Sequence, residues 1–235
     1  MEIIPAILEK DFLEIEKKLS FLRDVKNKYG LNFKVVQIDL CDGRFVESLT
    51  WLPDEIPQNK IEDISSFKTF FDIEYHLMCK DMLSYFVKLK ALNPKRVVIH
   101  IDHILFGEEI NKIIQEAESS LIKLTISARI SFLEDHKEDI ALFLSQNINI
   151  DLQIMGIENI GIQGQVFDER CLSIIKFFRD KFSRDELFIQ IDGGVDNNTI
   201  KKIVGSGADG AVVGSFLLKS MEETGFISNF KSLQY

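Results

Sequence analysis

Phe33-Lys34-Val35-Val36-Gln37-Ile38-Asp39-Leu40-Cys41-Asp42-Gly43 is an apolar run that carries one carboxylate near its end and then breaks at an Asp-Gly turn signal. Residues 33–40 read as a strand. A carboxylate at the end of such a strand is costly if buried and unpaired, so Asp39 needs a partner from elsewhere in the chain.

Outward from this stretch, short apolar runs alternate with amphipathic ones. Strands are expected at 3–8, 72–77, 96–101, 121–128, 148–155, 187–191 and 210–213. Helices are expected at 12–28, 81–92, 108–118, 132–144, 171–182 and 198–204, with a last one near 219–233. Asp11 is a candidate N-cap, and residues 51–70 read as irregular because Pro53 and Pro57 interrupt them. Continuous apolar strands separated by helices argue for a parallel sheet covered on its outer face. Eight such units in 235 residues, with no linker-like segment, predict an α/β fold: one (β/α)8 TIM barrel domain over residues 1–235. A doubly wound open sheet is the runner-up, but the first strand–helix turn, Leu8-Glu9-Lys10-Asp11, has no glycine-rich dinucleotide fingerprint.

Composition narrows the function classes. A formal charge of −9 makes nucleic acid and anionic membranes poor partners. Three cysteines without C-x-x-C spacing argue against a disulfide framework and for a reducing cytoplasm. The N-terminus lacks a signal-peptide pattern, and no apolar run approaches the roughly 20 residues of a membrane helix.

In a barrel, function gathers where strands end and βα loops begin. There the sequence sets Asp39 and Asp192, on strands expected to face each other across the mouth, and two such carboxylates can act as acid and base on opposite faces of a substrate. His76 reads either as a satisfied core histidine or as the nitrogen of an oxygen–nitrogen metal site with the two acids. His100 either walls the pocket or joins the site, and Cys41, Met78 and Met155 pack its floor. Asp192-Gly193-Gly194 and Gly214-Ser215, at adjacent strand ends, suggest an anion held by backbone amides. Gly161 and Gly164 fall in a long loop after the sixth strand, favoured as a lid.

These stretches resemble the ribulose-phosphate 3-epimerase family of TIM barrels over nearly the whole chain. The resemblance rests on Pro5-Ala6-Ile7-Leu8 with Asp11-Phe12, on residues 39–46 with Leu49-Thr50, and on His76-Leu77-Met78. It continues through Gly164-Gln165 with Phe167, Asp192-Gly193-Gly194-Val195, Gly207-Ala208-Asp209 and Gly214-Ser215. It implies inversion at carbon 3 of a ketose phosphate, ribulose 5-phosphate or a related pentulose or hexulose phosphate. One aspartate removes the proton and the other returns it, through an enediolate stabilised by one divalent metal ion (Zn, Fe, Mn or Co). Asp39, His76 and Asp192 match the family's metal ligands, and Gln37 stands where the family usually has a metal-binding histidine. The phosphate would rest on Gly193, Gly194, Gly214 and Ser215, with Gly164 joining from the loop. Two further departures are Ala6 for the family's serine and a lid lacking its proline and one paired glycine. A homo-oligomer whose neighbouring subunit covers the altered loop is compatible with this pattern. The competing reading is a barrel that binds a phosphorylated metabolite without turning it over. A phosphosugar lyase or synthase would call for a strand-end lysine or a different metal set, and the sequence offers no such lysine.

Overall fold

The computed structural model describes residues 1–54, 58–104 and 107–234. Its strands are β1 (Glu2–Ile7), β2 (Val35–Cys41), β3 (Asp72–Met78), β4 (Arg96–His100), β5 (Lys123–Ala128), β6 (Ile150–Met155), β7 (Ile189–Asp192) and β8 (Gly210–Val213). All pair in parallel in chain order, and β8 returns to β1, closing a (β/α)8 TIM barrel.

Around it stand α1 (Phe12–Tyr29), α2 (Gln58–Phe67), α3 (Met82–Leu89), α4 (Glu108–Ser120), α5 (Ile130–Gln146), α6 (Arg170–Lys181), α7 (Ile200–Ser206), α8 (Ser215–Leu218) and α9 (Glu223–Ser232). The first helix shows how local chemistry fixes an element. Asp11 caps α1 by accepting from Glu14 N at 3.0 Å, and Gly30 ends it in the left-handed conformation at φ 63°. Phe12, Ile15, Leu19, Leu22 and Val25 recur at helical spacing and are buried against the strands.

Two expectations need correction. Residues 51–70 contain the helix α2, which buries Ile64 and Phe67. Pro53 is buried ahead of it, while Pro57 lies outside the described residues. The single last helix is two: Met221, at φ 51°, breaks the chain between α8 and α9. Leu217 and Leu218 thereby stay on the barrel mouth, while Phe226 and Phe230 reach Phe33 at the other end. No helix among the described residues is long and apolar enough to cross a membrane. Cys41, Cys79 and Cys171 are buried and unpaired.

Successive residues of a strand point to opposite faces. In this barrel one parity (Ile38, Leu40, Leu77, Ile99) packs into the main apolar core with the helices. The other parity is unusually polar: Gln37, Glu74, His76, Arg96, His100, Thr125, Ser127, Asp151, Gln153 and Gln190 are all buried. The register sets Gln37 beside Glu74, Asp39 beside His76, Gln153 beside Gln190 and Met155 beside Asp192. The carboxylates therefore stand one step nearer the mouth than a layer of carboxamides and one buried ion pair.

Candidate active site

Asp39 is held by the end of β2, where Thr50 accepts from Cys41 N at 2.8 Å and donates to Asp39 O at 3.2 Å. The turn after it is closed by Asp42. Its carboxylate accepts from the backbone N–H groups of Lys80, Arg44 and Phe45. Those bonds hold the Asp42 carboxyl below its ordinary range against the cost of its partial burial.

Asp39, His76 and Asp192 converge, with one ligand atom from each lying within 4.8 Å of the others. His76 Nδ1 is 3.3 Å from both Asp39 Oδ1 and Asp192 Oδ2. The Asp39 and Asp192 side chains keep 12% and 14% exposure, so the acids face the cavity and the fully buried imidazole backs them. Burial pushes the Asp39 carboxyl above its usual range, and the Asp192 charge adds to that, while His76 and Gln37 oppose it. Two carboxylates that face one cavity are a setting for acid and base work.

Behind His76 the donor roles follow from what each partner can accept. Asp102 Oδ2 lies 3.0 Å from His100 Nδ1, so that nitrogen carries a hydrogen. Burial drives His100 down to about 4 despite Asp102, leaving it neutral, with Nε2 as an acceptor. That atom is 2.9 Å from His76 Nε2, which therefore donates. Only Nδ1 of His76 is turned to the carboxylates, the tautomer a metal-ligating imidazole with a supported far nitrogen adopts. Without a cation, burial lowers the His76 pKa, but its bonds to Asp192 and Asp39 outweigh this and lift it to about 9.

Gln37 Nε2 bridges the two acids, at 2.8 Å from Asp39 Oδ1 and 3.1 Å from Asp192 Oδ2. Its Oε1 is buried with no hydrogen-bond partner. A half-turn of the amide exchanges the two atoms and brings this orphaned oxygen to the carboxylates, where only a cation makes it favourable. Two carboxylates, one imidazole and an amide oxygen form a donor set that fits a divalent cation.

The acids open into a cavity of about 530 Å³. Met78, Met155, Gly164, Gly193, Gly194, Gly214 and Ser215 line it, whereas Cys41, packed with Met78 and Met155, and His100 are fully buried and outside the lining. At Gly194, φ is 66° and a Cβ would meet Phe167 Cα at 2.6 Å, so both backbone and space require glycine. The loop after β6 contributes Gly161 to Gln165 to the lining, and Ser48 Oγ donates to Gly161 O at 2.5 Å, tying this loop to the one after β2.

Sequence reasoning missed two groups here. Lys219, just after α8, lines the cavity as its one cationic residue among the described ones, with no carboxylate ion pair. Gln153 Nε2 reaches Asp192 Oδ2 at 3.2 Å and the His76 ring at 3.3 Å. Its signal is parity: it lies two residues before Met155, on the same face of the strand.

Comparison with known proteins identifies the family of the chain. Residues 2–218 match the profile of the "Ribulose-phosphate 3 epimerase family". The chain is 26% identical over 227 residues to a ribulose-phosphate 3-epimerase of Helicobacter pylori, covering 94% of this chain and 93% of that protein. It is 23% identical to the enzyme of that name from Schizosaccharomyces pombe, covering 98% and 92%. Among solved structures, a 3-hexulose-6-phosphate synthase from Salmonella typhimurium superposes with a TM-score of 0.64 at 13% identity, covering 99% of this chain and 96% of that one. An orotidine 5'-monophosphate decarboxylase from Sulfolobus solfataricus gives 0.62 at 12%, covering 99% and 97%. These two likenesses concern the fold alone. The chain belongs to the ribulose-phosphate 3-epimerase family and is an isomerase.

Proposed function

We propose that this enzyme inverts carbon 3 of a ketose phosphate, with ribulose 5-phosphate as the first candidate, using Asp39 and Asp192 as the two proton carriers. One carboxylate takes the carbon-3 proton. The C–H electron pair becomes the carbon 2–carbon 3 double bond and the carbonyl oxygen gains the charge. The other carboxyl gives its proton to the opposite face of carbon 3, and the charge returns to the carbonyl. The observation that carries the reading is that both acids line one cavity and contact one imidazole and one carboxamide.

Asp39, His76 and Asp192 would hold the metal, with Gln37 as a fourth ligand through Oε1. It would supply positive charge against the charge developing on the substrate oxygens. An amide oxygen in place of an imidazole shifts preference among Zn, Fe, Mn and Co away from zinc towards the harder ions. Lys219 and the backbone at Gly193, Gly194, Gly214 and Ser215 would take the phosphate, with Gly164 joining from the loop after β6. A cavity of about 530 Å³ suits a five- or six-carbon sugar phosphate.

The test is exchange of the carbon-3 proton with solvent, followed by NMR in deuterium oxide with each of these metals supplied. Exchange by the wild type and its loss in Asp192→Asn are expected. A wild-type protein that binds ribulose 5-phosphate but exchanges nothing with any metal would leave the non-catalytic binding reading in its place.

A further inference from the structure

A chain of amides runs under the acids, and its polarity is set from outside the active site. Arg96 Nη1 is 2.6 Å from Gln190 Oε1. A guanidinium only donates, so the Gln190 oxygen must face it. The Gln190 nitrogen is thereby turned the other way, where it donates to Glu74 Oε1 at 3.1 Å and to Gln153 Oε1 at 2.6 Å. With its oxygen so engaged, Gln153 must present its nitrogen to Asp192 Oδ2, 3.2 Å away. The ordinary ambiguity of a carboxamide is thus removed at both glutamines by one arginine. Arg96 is fixed in turn: its Nη1 lies 3.4 Å from Glu74 Oε2, and its guanidinium carbon lies 4.8 Å from the centre of the Phe188 ring.

Asp192 Oδ2 is also met by Gln37 Nε2 at 3.1 Å and by His76 Nδ1 at 3.3 Å. Oδ1 takes no donor among the described side-chain bonds, and Asp192 lines the cavity. Gln153 is the one of these three groups that the metal reading does not turn to the cation, so its N–H is the bond that fixes the carboxylate rotation of Asp192.

We propose that Gln153 is a positioning residue for Asp192, and that Arg96, acting through Gln190, sets the direction in which its amide points. This rests on the acid/base reading of Asp192. The discriminating variant is Gln190→Glu, which keeps size and the Arg96 contact and, when ionised against Arg96, offers Gln153 only acceptors. Gln153 must then turn and set its oxygen against Asp192 Oδ2. We expect kcat to fall at least about tenfold with KM within about twofold, as for a misaligned reacting group. Gln153→Met, which removes the donor, should cost about five- to tenfold in kcat, and Gln190→Glu should add less than about twofold in that background. Equal losses from Gln190→Glu with and without Gln153 would overturn the proposal.

Glu74 lies next to position 190, so Gln190→Glu is first checked by thermal melting. If it does not fold, Gln190→Met replaces it: this variant merely frees Gln153 to turn, and should lower kcat about threefold, again only when Gln153 is present. Wild-type kcat in Gln190→Met would equally overturn the proposal. Asp192→Asn is assayed alongside. If it retains wild-type turnover, the acid/base reading falls. If it is inactive while Gln153 and Gln190 act independently, only the positioning role falls.

Discussion

The mouth of the barrel has two halves built from different materials. The half that would handle the proton is made of side chains on strands: Asp39, His76, Gln153 and Asp192, backed by fully buried partners. The half that would hold the phosphate is made of loop backbone, Gly193, Gly194, Gly214 and Ser215, with one exposed cation, Lys219. Strands deliver groups to fixed positions, as a proton transfer over about 3 Å requires. Loop amides and an exposed ammonium tolerate small displacements, because they bind a dispersed charge. The two halves should therefore fail differently, the first in kcat and the second in KM.

The sharpest contrast is expected from Asp192→Asn, which should lower kcat about 10³-fold with little change in KM, measured by coupled steady-state assay. A loss confined to KM would erase the distinction between the halves. Next is Gly194→Ala. Its Cβ meets Phe167 at 2.6 Å and its φ of 66° is unfavourable, a combination costing about 1–3 kcal/mol of stability. It should raise KM about tenfold and lower the melting temperature by several degrees. Lys219→Met should raise KM about three- to tenfold, leave kcat within twofold, and weaken the salt dependence of kcat/KM.

Smaller effects belong to the proton-handling half alone. Gln37→His should tighten zinc binding about tenfold, by calorimetry on metal-stripped protein, with less gain for manganese. Unchanged zinc affinity would mean that residue 37 does not serve the cation. The two stacked histidines should shape the pH dependence of metal-free stability in opposite senses. His76, raised to about 9 from 6.5, adds stability that is complete below pH 6.5 and lost as pH rises through 9. His100, lowered to about 4 from 6.5, takes up its proton late, so stability is lost as pH falls from 6.5 towards 4. Denaturant midpoints across this range should peak near pH 6.5, and His76→Gln should flatten the alkaline side.

How much of this was legible in the sequence follows the same division. Asp39, His76 and Asp192 each interrupt an apolar strand near its end, a local signal that survives without coordinates. The eightfold alternation and the closed barrel were legible for the same reason, since burial imposes periodicity. Gln153, Gln190 and Arg96 were hidden because strands read as uninterrupted apolar runs conceal their inward parity. Only closure of the barrel brings Arg96, on β4, within reach of Gln190, on β7. Lys219 was hidden because it read as the start of a long last helix. That helix is broken at Met221, whose left-handed backbone no propensity predicts. Helix α2 was missed because two prolines outweighed the short apolar pattern of Ile64 and Phe67.

The directed amide chain also ties what one position tolerates to the residue at another. While Gln153 is present, exchanging Gln190 for an acid turns an oxygen against Asp192. Once Gln153 has become apolar, the same exchange meets no such penalty. The cost of an acid at position 190 is therefore set by what stands at position 153, a residue it touches on the neighbouring strand. Positions 96, 153 and 190 behave as one coupled unit rather than as three independent sites.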